Sequence, residues 1–302
     1  MTEAEKNKIK SRILPHPNGG KYVSHMPFEE YQALFEDFFV LTRENGILEI
    51  RWHNNGGPAV TDEGHMRSWA QILKVVSDDP ENEVLILTGT GDKFLEVDFS
   101  NMAHLMSGKL DVEKLIADSY SDVHMYGADA ARELIFGVKV PTIGVYNGPA
   151  VGMGHILTMC DITLCADDLE IDEDHFKMSK LSGNGSFMSL QHFMGEKQAA
   201  HMYYTGEKIT ADEAKRRGYV NEVMPREDLL KRAWEIARQM MEKDRTVRRL
   251  SHEMMCHGLR KRYAEDLDYQ MALGTYAYCS SLAGIGLKMR QPQDKDEEPE
   301  KS

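Results

Sequence analysis

The chain has 302 residues and a formal net charge of −13. That is long enough for one large domain with appendages, and too acidic for a nucleic-acid partner, which would need a basic face. No apolar run approaches the length of a membrane span, and the polar N-terminus lacks a signal-peptide core, so a cytoplasmic protein with no membrane partner is expected.

Residues 1–27 read as an N-terminal extension, lysine-rich with Pro15, Pro17 and a Gly19-Gly20 pair and without sustained periodicity. Ile47 to Trp52 reads as a strand, broken by Gly56-Gly57-Pro58. Thr61 or Asp62 caps a helix that carries Trp69, Ile72, Leu73 and Val76 at helical spacing. Val84 to Thr88 has the continuous apolar character of a strand buried on both faces. Thr142 to Tyr146 and Ile162 to Ala166 are further strands. Helices dominate after Phe187, including Ala211 to Arg217 and an amphipathic one from Leu229 to Glu242. Strands early and helices late predict an α/β core with a helical C-terminal region. Residues 286–302 form a charged tail that cannot bury apolar surface. The 19 methionines suit an adaptable apolar site. Cys160, Cys165, Cys256 and Cys279 lack CxxC spacing and read as reduced thiols, not as a metal site or disulfide framework; no cofactor is expected.

The most informative segment is Asn147-Gly148-Pro149-Ala150-Val151-Gly152-Met153-Gly154-His155, between the 142–146 strand and apolar Ile156-Leu157-Thr158-Met159. A strand ending in alternate glycines and passing into a helix points several backbone N–H groups outward, where they suit a developing anion. A tight turn would use the same glycines for their backbone angles alone.

This run resembles the second oxyanion segment (NGxAxGGGxxL) of the crotonase, or enoyl-CoA hydratase/isomerase, superfamily. Leu87-Thr88-Gly89-Thr90-Gly91-Asp92-Lys93-Phe94 through Asp98 is similar to its first segment, and Ala211 to Val223 to its A-x-E-A-x-x-x-G-x-V-x-x-V element. The three occur in the family's order, and the resemblance implies that its domain covers residues 28–285. The resemblance implies a spiral of ββα turns with helical C-terminal arms, assembled as a homotrimer or dimer of trimers. It also implies an enolate or oxyanion held by two backbone N–H groups. One would be that of Met153, the other near Leu95 or Glu96, where Phe94-Leu95-Glu96-Val97-Asp98 lacks the usual Ala-Gly pair.

The slots of the two hydratase acids hold Ile156 and His175. Isoleucine moves no proton, so water addition by two carboxylates is disfavoured. A histidine at 175 resembles the 6-oxocamphor hydrolase branch, which cleaves cyclic β-diketones by retro-Claisen chemistry without coenzyme A. That branch's D-x-x-H-F motif is matched by Asp172 to Phe176, its G-D-G by Gly183-Asn184-Gly185, and its histidine at the start of the first helix by His65. Its histidine in the glycine segment falls on Met153, with His155 two positions later, and its C-terminal glutamate falls near Gly274. The resemblance makes His175 the general base that activates water towards a small-molecule ketone. His65, His155, Glu173, Asp174 and Asn184 are then candidates to orient the base or return the proton. Tyr269, Tyr276 and Tyr278 read as helix packing and subunit contacts. Two other readings stay open. One is a CoA-thioester hydratase, isomerase or lyase using His175, although His53 to Pro58 shows no basic CoA-binding loop. The other is a catalytically silent scaffold.

Overall fold

The structure is a computed structural model describing residues 2, 6–7, 10–61, 63–97, 111–120, 124, 128–151, 154–173, 175–177 and 181–290, with side chains left out at 61, 63–66, 97 and 282–290. In chain order the strands are β1 (Ile13–Pro15), β2 (Lys21–Val23), β3 (Phe39–Glu44), β4 (Ile47–Trp52), β5 (Ala59–Thr61), β6 (Val84–Gly89), β7 (Leu95–Val97), β8 (Thr142–Tyr146), β9 (Ala150–Val151), β10 (Ile162–Ala166), β11 (Glu170–Asp172), β12 (Ile209–Thr210) and β13 (Glu222–Met224). The helices are α1 (Phe28–Leu34), α2 (Glu63–Asp78), α3 (Val112–Ser119), α4 (Asp129–Arg132), α5 (Ser186–Met194), α6 (Glu196–Thr205), α7 (Ala211–Arg216), α8 (Arg226–Met241) and α9 (Arg245–Arg290).

Two sheets form the body. The first has the order β13-β10-β8-β6-β4-β3 and the second β12-β11-β9-β7-β5. Only the edge pairs β3/β4 and β11/β12 are antiparallel. From β4 onward the chain gives one strand to the first sheet and the next to the second: β4 then β5, β6 then β7, β8 then β9, β10 then β11. This is the expected ββα spiral with a helical C-terminal region.

The apolar strands are buried on both faces, which explains why their sequences do not alternate. Leu48, Ile50, Leu85, Leu87 and Tyr146 point into a core with Trp52, Trp69, Phe39 and Phe94. Trp52 and Trp69 lie 4.6 Å apart between ring centroids. Ile47, Val84, Ile86, Ile143, Val145 and Leu164 point the other way, onto Leu229, Ala233, Ile236 and Ala237 of α8. Each such side chain removed from water contributes roughly 1.5–3 kcal/mol, so α8 is held by its apolar stripe. The first turns of α9 are clamped electrostatically. Glu83, just before β6, pairs with Arg245 at 2.5 Å, Arg248 at 2.7 Å and Arg249 at 3.0 Å.

Two local features differ from the sequence reading. The glycine segment does not enter an α-helix: it forms β9 and then a single 3-10 turn, Ile156–Met159. β10 starts only three residues after that turn, and Cys160 already closes it by donating to the Leu157 carbonyl at 3.2 Å. The last helix is one continuous rod of 46 residues that runs past the expected boundary at 285 to Arg290. The extension before residue 28 contains a small hairpin, β1 against β2. Among the described residues, no helix is long and apolar enough to cross a membrane.

Candidate functional site

The site forms where β8 and β10 of the first sheet hand the chain to the second. The two glycine-rich segments are laced together there by Asn147. Its Oδ1 accepts the Gly89 N–H at 3.1 Å, and its Nδ2 donates to the carbonyls of Gly91 and Lys93, both at 3.0 Å. The Phe94 N–H donates to Pro149 at 2.9 Å, and Arg226 caps the crossing through the Asn147 carbonyl at 2.6 Å. Gly148 is required here: a Cβ on it would lie 2.0 Å from the Asp92 carbonyl oxygen.

Tyr146, fully buried at the end of β8, donates its hydroxyl to the Gly154 carbonyl and accepts the Leu157 N–H at 3.1 Å. It thereby fixes both sides of the turn that carries His155. That histidine is 2% exposed. Its Nε2 lies 3.2 Å from the Asn184 carbonyl, and its Nδ1 has no hydrogen-bond partner among the described residues. Burial pushes its pKa below the ordinary histidine value, against the pull of the Glu173 carboxylate, so His155 is a neutral imidazole.

The chemical centre is a carboxylate–imidazole pair just beyond β11. Glu173 accepts a hydrogen bond from His175 Nδ1 on Oε1 and one from Ser186 Oγ, at 2.6 Å, on Oε2. The glutamate side chain is 4% exposed and the histidine 22% exposed, so the acid is inside and the base reaches outward. Burial raises the Glu173 pKa, but the hydrogen bond and charge of His175, with the hydrogen bond from Ser186, together hold it below the usual carboxylate value. A carboxylate that accepts from Nδ1–H fixes the imidazole tautomer and leaves the lone pair on Nε2. Ser186 reaches Glu173 because Gly185, at φ +85°, turns the chain into α5. Its neighbour Asn184 also lies in the left-handed region, at φ +58°. This turn is braced from α9: Tyr263 donates its hydroxyl to the Gly185 carbonyl at 2.9 Å, and the Asn184 N–H points at Met271 Sδ at 3.3 Å. Phe176, Phe187, Tyr203 and Tyr204 form an aromatic cluster beside the base, with Phe187 and Tyr203 4.4 Å apart.

The structure thus unites Glu173 with His175, and His155 with Asn184. Asn184 holds this place through its backbone. The Leu95 N–H lies 3.5 Å from the Pro149 carbonyl, which also accepts the Phe94 N–H, where β7 joins β9. Glu96 carries its side chain to Lys93. Met153 and Asp174 lie outside the described residues, as does the side chain of His65. Ile156, in the slot of the first hydratase acid, is buried and apolar. Tyr269 and Tyr276, expected as helix packing and subunit contacts, are exposed on α9 within this chain; the buried tyrosine of that helix is Tyr263. Ser186, Tyr263, Met271 and Tyr203 were not singled out from sequence. The readable signal was the stripe Leu259, Tyr263, Leu267, Met271 at four-residue spacing, all buried.

These shifts set a pH dependence. Glu173's folded pKa is depressed, so its contribution to stability is present above the ordinary carboxylate range and lost as pH falls through the folded value. His155 is also depressed, so the unfolded chain takes up that proton first, and stability declines as pH falls from the ordinary histidine value, about 6.5, towards the folded one. Melting temperatures followed from about pH 8 to 5 should decline less steeply in His155→Gln than in the parent chain. Parallel curves would contradict the neutral, buried assignment.

Comparison with known proteins gives the same picture. The enoyl-CoA hydratase/isomerase family profile matches residues 42–284. A crotonyl-CoA hydratase of Syntrophomonas wolfei is 30% identical over 211 residues, 68% of this chain and 75% of that protein. A probable enoyl-CoA hydratase of Mycobacterium tuberculosis is 25% identical over 223 residues, 72% of this chain and 82% of that protein. Among solved structures, a β-diketone hydrolase from the cyanobacterium Anabaena sp. PCC 7120, bound to (S)-3-oxocyclohexyl acetic acid, matches with a TM-score of 0.73 at 26% identity. The match covers 85% of this chain and 98% of that one. The chain belongs to the enoyl-CoA hydratase/isomerase, or crotonase, superfamily, and within it resembles the β-diketone hydrolase branch.

Proposed function

We propose that this protein is a carbon–carbon bond hydrolase acting on a cyclic or β-diketone substrate. The observation that carries the reading is the Glu173–His175 pair, a buried acid holding a partly exposed base, in a site whose other acid position is the apolar Ile156. His175 Nε2 takes a proton from water as the water oxygen adds to one carbonyl of the diketone. The resulting oxyanion is held by backbone N–H donors of the glycine segment, the Met153 N–H among them. Its collapse breaks the bond between that carbonyl carbon and the carbon shared by both carbonyls. The products are a carboxylate and an enolate, and the enolate carbon takes up a proton. Glu173 keeps the imidazole oriented and balances its charge; with both oxygens occupied it does not meet the substrate. The similarity to the Anabaena β-diketone hydrolase supports the same chemistry.

The hydratase names of the curated relatives support a second reading, a CoA-thioester reaction at the same base. A panel of cyclic β-diketones and enoyl-CoA thioesters separates the two. Ring opening to a keto acid, with oxygen from labelled water entering the new carboxylate, is the expected result. Turnover confined to the thioesters would overturn it.

A further inference from the structure

At the opposite end of β8 and β10 from the Glu173–His175 pair, three other side chains converge. Asp161 stands immediately before β10, and His252 and Cys256 stand four residues apart on one face of α9. His252 Nδ1 is 2.8 Å from Asp161 Oδ2 and 3.5 Å from Cys256 Sγ, and that sulfur is 3.5 Å from Asp161 Oδ1. The His252 and Asp161 side chains are 2% and 12% exposed, and Cys256 is buried. All three border a cavity of about 530 Å³ that Met159, Phe193, Met240 and Leu259 also line.

We propose that Asp161, His252 and Cys256 form a binding site for a zinc-class divalent cation, with a fourth coordination position open to the cavity. Without a metal the ring N–H faces Asp161 Oδ2 and the thiol donates to Oδ1, so the three ligand atoms already converge on one point. A metal ion takes all three lone pairs at once. In a tetrahedral zinc site, with Zn–S about 2.3 Å and Zn–N about 2.0–2.1 Å, the sulfur–nitrogen edge is about 3.5 Å, which is the separation found here. The surroundings also orient the ligands as outer-shell partners do. Asp161 Oδ2 is held by the Thr142 N–H at 2.8 Å and its hydroxyl at 2.9 Å, which turns Oδ1 towards the thiol. Without metal, Arg260 Nη2 donates towards His252 Nε2 at 3.3 Å; with Nδ1 on the metal, Nε2 carries the proton and the Val138 carbonyl, also at 3.3 Å, is placed to accept it. On binding, the thiol releases its proton to solvent and the neutral imidazole carries its hydrogen on Nε2. One thiolate and one carboxylate then balance the divalent charge. Of the two arginines nearby, Arg260 is paired with Glu253, and Arg248 points to Glu83. The absence of CxxC pairs hid this set, because its ligands are three different residue types separated by 91 positions in the chain.

Cobalt(II) titration of the chelator-stripped, full-length protein tests the site. The parent chain and Cys279→Ser should each develop a sulfur-to-cobalt charge-transfer band that saturates at one equivalent and is bleached by zinc. Cys256→Ser should lose the band while keeping the parent's circular dichroism spectrum. In the parent chain itself, zinc should protect Cys256 from alkylation, read by peptide mass spectrometry. Absence of a band in the parent, its survival in Cys256→Ser, or alkylation of Cys256 unaffected by saturating zinc would each overturn the proposal.

Discussion

Replacing His175 by alanine is expected to lower kcat for diketone ring opening by about 10²–10⁴-fold, the usual contribution of a positioned general base, with a lower melting temperature as well, because buried Glu173 loses its main partner. The side chain is partly exposed and sits in a turn, so its loss opens no core cavity. Glu173→Gln is expected to lower kcat as well, and in a way that a merely structural role would not produce. The amide can donate to Nδ1, which releases the tautomer, and removing the negative charge disfavours the imidazolium. The acidic limb of the rate profile then moves to lower pH while the plateau falls. Stopped-assay kinetics across pH for the parent and both variants decide the matter. Unchanged turnover in His175→Ala would remove the base from the mechanism, and an unshifted limb in Glu173→Gln would remove the acid.

Gly148→Ala should be the most damaging small substitution near the site. The added methyl would sit 2.0 Å from the carbonyl oxygen of Asp92 and 3.2 Å from the Cα of Lys93, both backbone. No flexible side chain can move aside, so the two segments must separate. That separation also breaks the three hydrogen bonds through Asn147. A cost of about 3 kcal/mol, at the upper end of overpacking effects, should appear as a lower denaturant midpoint, with a parallel loss of turnover. Gly258→Ala is the control, since a Cβ there meets nothing closer than 4.0 Å. Equal stability of the two variants would show that the segments do not cross as described.

How much of this was legible beforehand depends on the range of the interaction. β4, β8 and β10 coincide with the runs read from sequence, because a strand buried on both faces announces itself within five or six residues. The ββα order could be read from three short segments in sequence. The union of Glu173 with His175 was readable for the same reason, since the two lie in one turn. Ser186 was not, because its role depends on Gly185 turning the chain back at a distance of 13 residues. Tyr263 and Met271 support the site from 78 and 87 residues away, where spacing carries no information about contact. The approach of the Leu95 N–H to the Pro149 carbonyl comes from sheet pairing, which sequence alone does not specify.

The final helix links the two ends of the sheet. Cys256 and Met271 are on one uninterrupted rod, separated by about 22 Å at 1.5 Å per residue. One end leans on Asp161 and the other on the Asn184–Gly185 turn. Between these points Arg260 anchors the same helix to the Ile135 and Val138 carbonyls. The turn that places Ser186 against Glu173 thus rests on the same backbone element as a contact point that no substrate touches.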